Sequence, residues 1–291
     1  MLSVTEQINP QTTDIDLCNG AEIAQLINNE DKKVAKAVQK IIPQIGEAIE
    51  EIAKRLLNGG KMAYFGSGTS GRIGILDASE MTPTYGVAPE LIQGFISGGD
   101  EAIRFAVENA EDNVDFALQD FNNFNPQKND VVVAISASGS PAYTFKILQS
   151  ARQKGVLTIA VTSNPNALFK QFADIFLCAY VGPEAITGSS RMKSGTAQKM
   201  IINMLSTGAM IKIGKTYHNY MVDLQIHNKK LYQRAIRFIC DITKTDLQTA
   251  EKTLQQAQNV KIACVMIAQN CNAEKAAELL KQQAGILRRV I

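Results

Sequence analysis

The chain has 291 residues, of which 45% are hydrophobic and 20% charged, and its formal net charge is +2 at pH 7. That is enough for one large α/β domain with an appendage; acids and bases are interspersed, so neither nucleic acid nor a membrane is an expected partner. The five cysteines (Cys18, Cys178, Cys240, Cys264, Cys271) are odd in number and lack C-x-x-C spacing. They read as buried thiols of a cytoplasmic protein, and no signal peptide or membrane-spanning run is expected.

In chain order, residues 1–20 are polar and weakly patterned, an arm that packs on another surface. Helical periodicity runs from 21 to 57 with a break near Pro43. Strands are predicted at 61–66, 92–97, 131–136, 157–162 and 174–179. They alternate with helices at 71–80, 100–119, 141–154, 166–171 and 190–213. Such alternation of apolar strands and helices predicts a parallel sheet covered on both faces, with ligands at the carboxyl ends of its strands. Beyond residue 237 only short helices are predicted. Thr245 with Gln248 fits a capping box, and Asn272 fits a cap. The expected division is an arm with helices over 1–58, a core over 59–236, and a small helical bundle over 237–291. The two histidines, His218 and His227, lie away from every predicted loop, so neither a metal site nor a cofactor is expected.

Two hydroxyl-rich loops follow predicted strands and open helices: Gly66-Ser67-Gly68-Thr69-Ser70-Gly71-Arg72 and Ser136-Ala137-Ser138-Gly139-Ser140. Loop amides, a helix start and Ser/Thr hydroxyls suit anionic oxygen. The first loop formally matches G-x-G-x-x-G, but the second strand ends Ser97-Gly98-Gly99, without the acidic residue that would hold a ribose. A Walker lysine is also missing. A compact phosphate therefore fits better than a dinucleotide. The segment Gly188–Lys199 brings Ser189, Ser190, Arg191 and Lys193 to the start of another helix and suits the same chemistry.

These loops resemble the sugar isomerase (SIS) domain, which binds phosphosugars. Three blocks resemble the N-acetylmuramic acid 6-phosphate etherase family more narrowly: Gly66–Glu80 continuing to Gly86, Val107–Asp112, and Thr187–Lys199. The glucokinase regulatory protein shares a block related to the third. The resemblance implies a three-layer αβα domain with a five-stranded parallel sheet and a C-terminal UBA-like bundle. It also implies a metal-free homodimeric lyase that cleaves the D-lactyl ether of its sugar phosphate to give N-acetylglucosamine 6-phosphate and D-lactate. The family's acid/base glutamates fall on Glu80 and Glu111. The candidate ligands of the phosphosugar, read from the three hydroxyl-rich segments, are Ser67, Gly68, Thr69, Ser70, Ser136, Ser138, Gly139, Ser140, Ser189, Ser190, Arg191 and Lys193. One departure stands out: where members carry arginine and threonine after Ser-Gly, this chain has Ser140-Pro141, which removes a hydroxyl and an amide donor. Ser136 and Ser140 are the candidates to compensate.

The chemistry needs titrating groups and no redox cofactor. An open-chain sugar has an aldehyde that acidifies the C2 proton; a base removes it and an acid helps the C3 oxygen leave. A non-catalytic phosphosugar sensor and a phosphosugar isomerase are the alternatives, and retention of both glutamates favours the lyase. Unbroken helices would put Glu80 and Glu111 roughly 14–16 Å below the strand ends. On that premise a partner subunit is expected to complete each site.

Overall fold

The computed structural model describes residues 3–291. The chain forms two compact units. One takes the residues up to Ser79 together with Glu90–Ser206, the other Glu80–Pro89 together with Thr207–Ile291.

In the first unit, two 3-10 turns (Val4–Glu6 and Ile15–Leu17) lead to α1 (Gly20–Gln39). Asn19 starts α1 with a reciprocal capping box: its side chain accepts from the N–H groups of Ala21 and Glu22, and Glu22 accepts from the Asn19 N–H. Pro43 sits in the first turn of α2 (Ile42–Leu57), where its missing N–H leaves no bond unmade. There follow β1 (Met62–Gly66), α3 (Gly68–Ser79), α4 (Met81–Tyr85, in the second unit), β2 (Ile92–Ile96), α5 (Glu101–Arg104), α6 (Val114–Phe124), β3 (Val131–Ile135), α7 (Ala142–Gln153), β4 (Leu157–Thr162), β5 (Ile175–Cys178) and α8 (Lys193–Lys212).

The five strands are parallel in the order β2-β1-β3-β4-β5. The three central strands are buried along their whole length, as a parallel sheet with helices on both faces requires. Alternate residues of β1 serve the two faces. Ala63 and Phe65 pack with Phe121 and Phe124 of α6 and Ile147 and Leu148 of α7. Phe65 stacks on Phe95 at 4.9 Å between ring centroids. Tyr64 points the other way, and its hydroxyl donates to Asp77 of α3 at 2.8 Å. Side chains fully buried in this way contribute about 2–3 kcal/mol each. α3 packs closely on the sheet because Gly74 has no Cβ; one there would lie 2.9 Å from the Tyr64 Cβ.

All five predicted strands are present within a residue or so of their expected limits. The helix expected over 100–119 is not continuous. α5 stops at Arg104, a 3-10 turn spans Ala110–Asp112, and α6 begins only at Val114. Asn109 takes the left-handed conformation (φ 58°), and Asn113 caps α6 by accepting from the N–H groups of Asp115 and Phe116. The piece expected at 166–171 is a 3-10 helix, Leu168–Phe172. Of the cysteines, all free, only Cys264 is buried; the other four are partly exposed.

The second unit contains α4, the remainder of α8, the short hairpin β6 (Thr216–Tyr217) and β7 (Tyr220–Met221), and four helices: α9 (Lys229–Thr243), α10 (Leu247–Ala257), α11 (Val260–Gln269) and α12 (Ala273–Gln282). Val222, Leu224, Ile236, Ile239, Leu254 and Val265 share one apolar core. From Tyr217 onward the chain contributes to that core, and the second unit takes Thr207–Ile291, whereas the expected segment began at 237. Asn272 caps α12 as expected, accepting from Lys275 N–H. α10 is capped by Asp246, which accepts from Thr249 N–H at 2.9 Å, and Thr245 is displaced from that role. A carboxylate one residue later lines up with the orphan amide. No helix among the described residues is long and apolar enough to cross a membrane.

Candidate active site

The strand order places the topological switch of the sheet between β1 and β3, the position where open α/β sheets bind ligands. Both hydroxyl-rich loops start there. Gly66 is in register with Ile96 on one side and with Ile135 on the other, and Ile135 is in register with Val161. Ser97, Ser67 and Ser136 therefore leave adjacent strands side by side, and Ser163 follows one residue later at the end of β4. Two of these four hydroxyls hold backbone: Ser97 Oγ donates to Ala110 O, and Ser136 Oγ accepts from Gly139 N–H at 3.0 Å. The other two, Ser67 Oγ and Ser163 Oγ, are buried without a protein partner.

The first loop borders a cleft of about 250 Å³ lined by Ser67, Gly68, Arg72, Ser97, Asn109 and Glu111, among others. Gly68 has φ 53°, a conformation glycine adopts without strain, and it begins α3. The amides of Ser70 and Gly71 already donate to Ser67 O at 3.1 and 3.4 Å, which leaves the Gly68 and Thr69 amides at the helix start to suit an anion. Ser70 turns away, donating to Gln198 Oε1 of α8 at 2.9 Å, and Thr69 lies near Gly195. Glu111 is exposed on the 3-10 turn that replaces the expected helix. The expected depth below the strand ends does not hold for Glu111, because the chain is not helical between Arg104 and Ala110. Glu111 thus shares a cleft with Ser67 and Gly68 of its own chain. For Glu80 the premise stands: α3 is unbroken for 12 residues, which carries Ser79 roughly 17 Å from Gly68. Glu80 follows Ser79 as an exposed residue that makes no side-chain cap bond to α4.

The second loop is a tight turn on its own serines. Ser138 Oγ and Ser140 Oγ lie 2.7 Å apart, and Ser138 Oγ also accepts from Ser140 N–H. Gly139 has φ 67°, and a Cβ there would fall 2.3 Å from the Ala167 Cβ. Residues after β4 brace the loop: Thr162 Oγ1 donates to Ala137 O and Asn164 Nδ2 to Ser138 O. Neither Asn164 nor Gln198 carries a local sequence signal, because each acts on a loop remote in the chain.

The third segment is arranged differently from expectation. The first amides of α8, those of Lys193 and Ser194, donate to the two carboxylate oxygens of Glu184 at 2.9 Å. Glu184 is 1% exposed, so this helix start already holds an internal anion. Lys193 is equally buried, and its Nζ donates to Glu30 Oε2 of α1 at 2.6 Å. Ser189 and Ser190 are partly exposed and Arg191 is exposed. Burial acts to raise the Glu30 carboxyl, but hydrogen bonds from Lys193, Lys33 and Asn9, with the Lys193 charge, pull it down to about 2. Under the sheet, burial raises the Asp77 carboxyl against the hydrogen bonds it accepts from Tyr64, Asn203 and Ser206. This cluster joins α3 to α8. A larger hollow lined by Glu47, Arg55, Arg152 and Asp174 opens at the amino ends of β4 and β5, opposite the loops, where no hydroxyl-rich turn faces it.

Residues 44–152 match the glucokinase regulatory protein N-terminal SIS domain, 114–208 the SIS domain, and 218–261 the C-terminal lid domain of glucokinase regulatory protein. The N-acetylmuramic acid 6-phosphate etherase of Glaesserella parasuis is 47% identical over 287 residues, 98% of this chain and 94% of the relative. That of Caldanaerobacter subterraneus is 48% identical over 289 residues, 99% and 94%. The chain belongs to the N-acetylmuramic acid 6-phosphate etherase family. Its sheet also has the fold of phosphoheptose isomerase from Neisseria gonorrhoeae (TM-score 0.51, 21% identity, 65% of this chain and 99% of that one).

Against the etherase family's pattern, Pro141 takes the position before α7, with no side-chain cap. Ser136 is spent on the turn at Gly139, whereas Ser140 is exposed at its tip beside Ser138. Of the two residues expected to compensate, Ser140 is the one whose hydroxyl faces outward.

Proposed function

We propose that the protein is a carbon–oxygen lyase that converts N-acetylmuramic acid 6-phosphate to N-acetylglucosamine 6-phosphate and D-lactate in the cytoplasm. The observation that carries this reading is the cleft shared by Glu111 and the Ser67-Gly68 loop in a member of the etherase family. The phosphate is held at the starts of α3 and α7 by loop amides and by the hydroxyls of Ser67, Ser138 and Ser140. The sugar reacts as its open-chain aldehyde. A carboxylate removes the C2 proton, the electron pair forms the C2–C3 double bond, and the C3–O bond breaks. The lactate oxygen takes a proton from the second carboxyl group. Water then adds to C3, and C2 regains a proton. Glu80 and Glu111 are the two carboxylates.

The protein works as a homodimer in this reading, with Glu80 supplied to the cleft by the second subunit. The length of α3 supports that arrangement for Glu80. Mixing Glu80→Ala chains with Gly68→Val chains tests it: hybrid dimers regain activity if sites are shared and stay inactive if they are not.

The reaction itself is tested by D-lactate release from N-acetylmuramic acid 6-phosphate, with Glu111→Gln as control. Release by the wild type and its loss in the variant are expected. Binding of the sugar phosphate without release refutes the lyase and leaves a phosphosugar sensor.

A further inference from the structure

Glu111 sits on a three-residue 3-10 turn that follows a left-handed Asn109, and the internal bonds of this segment are long: Asp112 N–H to Asn109 O and Asn113 N–H to Ala110 O are both 3.3 Å. So short a turn has little rigidity of its own. A carboxylate that must meet a C2 proton needs more, because a misplacement of ~1 Å can cost about 100-fold in rate. The order has to come from outside the segment.

We propose that Ser97 and Arg72 are positioning residues that fasten the Glu111 segment to the first phosphate loop. This rests on the reading of Glu111 as an acid/base group. Ser97 is 1% exposed at the end of β2. Its N–H donates to Gly66 O at 3.0 Å, and its hydroxyl donates to Ala110 O. A single buried residue therefore ties the strand end that opens the loop to the residue immediately before Glu111. Arg72, one turn into α3, makes the second tie. Its Nε donates to Ile103 O at 2.9 Å and its Nη2 to Phe105 O at 3.1 Å. These are carbonyls that a continuing helix would have offered to its own later amides, so the guanidinium both ends α5 and holds the chain that leaves it. Gly98 (φ 91°) lets the pieces close together; a Cβ there would lie 3.1 Å from Val107 Cβ and 3.3 Å from Ala110 Cβ. Loop and carboxylate are thereby held as one body, so that the distance from bound phosphate to Glu111 is set by protein rather than by substrate.

The test compares Ser97→Ala, Ser97→Thr, Arg72→Met, Glu111→Gln and the double variant Ser97→Ala/Glu111→Gln. The readouts are kcat and KM for D-lactate release and amide exchange across 109–113. Ser97→Ala is expected to lower kcat about 10- to 100-fold with KM within about twofold, and to speed exchange in that segment. Ser97→Thr, which keeps the hydroxyl, restores most of kcat. Arg72→Met follows Ser97→Ala. In the Glu111→Gln background, Ser97→Ala has no further effect on kcat, because it acts through the group already removed. Additive losses in the double variant, or faster exchange with unchanged kcat, overturn the proposal. If Arg72→Met raises KM with kcat unchanged, Arg72 binds substrate instead and its positioning role is refuted. A wild type that releases no D-lactate refutes the assigned reaction; exchange then decides alone, and unchanged protection in Ser97→Ala and Arg72→Met overturns the clamp.

Discussion

Replacing Glu30 with glutamine breaks the buried ion pair that joins α1 to the start of α8. Glu30 is 2% exposed and Lys193 1%, with 2.6 Å between their charged atoms. The Glu30 carboxyl is held at about 2 against an ordinary 4.5. That difference corresponds to about 3 kcal/mol of stability at neutral pH. Losing one member of a buried pair costs a similar ~3–5 kcal/mol, since the other charge is left uncompensated. Lys33, the second cation on Glu30, is half exposed and adds little. Because the folded carboxyl lies below its unfolded value, the stabilisation is complete above about pH 4.5 and is lost as pH falls toward 2. Urea unfolding of wild type and Glu30→Gln, followed by circular dichroism from neutral pH to about pH 3, should show a gap of about 3 kcal/mol that narrows through this window. An unchanged midpoint at pH 7, or a gap that persists undiminished at the acid end, would refute the assignment of this energy to the pair.

Two further substitutions probe the supports of the site. Gly139→Ala forces a Cβ into a left-handed residue 2.3 Å from Ala167 Cβ and 2.7 Å from Phe169 Cε1. It should destabilise by about 2–4 kcal/mol in urea unfolding and weaken N-acetylglucosamine 6-phosphate binding by calorimetry at least about tenfold; wild-type values for both would show that the turn tolerates another shape. Asp77→Ala strips the acceptor from Tyr64, Asn203 and Ser206, with Tyr64 0% exposed. A loss of about 3–5 kcal/mol is expected from denaturant midpoints, and a loss under 1 kcal/mol would mean that the donors find other partners.

Local pattern carried the elements whose cause is local. Short, largely apolar β-type runs marked the five strands, and Asn272 marked a helix start because a cap and its amide lie three residues apart. The hydroxyl-rich loops were legible for the same reason, since strand, turn and helix start are contiguous. The stretch 100–119 was misread because its helical periodicity is real but is overruled by Asn109, by the Asn113 cap and by the Arg72 side chain from another helix. Thr245 failed as a cap because the neighbouring Asp246 competes for the same amide.

The sequence by itself determined the order of strands and helices, the two anion-suited turns and the family, all carried by residues close together in the chain. Only the tertiary structure decided what each polar side chain is used for. Lys193, a cation in a phosphate-like motif, is turned to Glu30, 163 positions away, while Ser97, a plain strand-end serine, is joined to Ala110. A buried polar group takes the partner that the packed fold brings within hydrogen-bond distance, and that partner leaves no trace in local spacing.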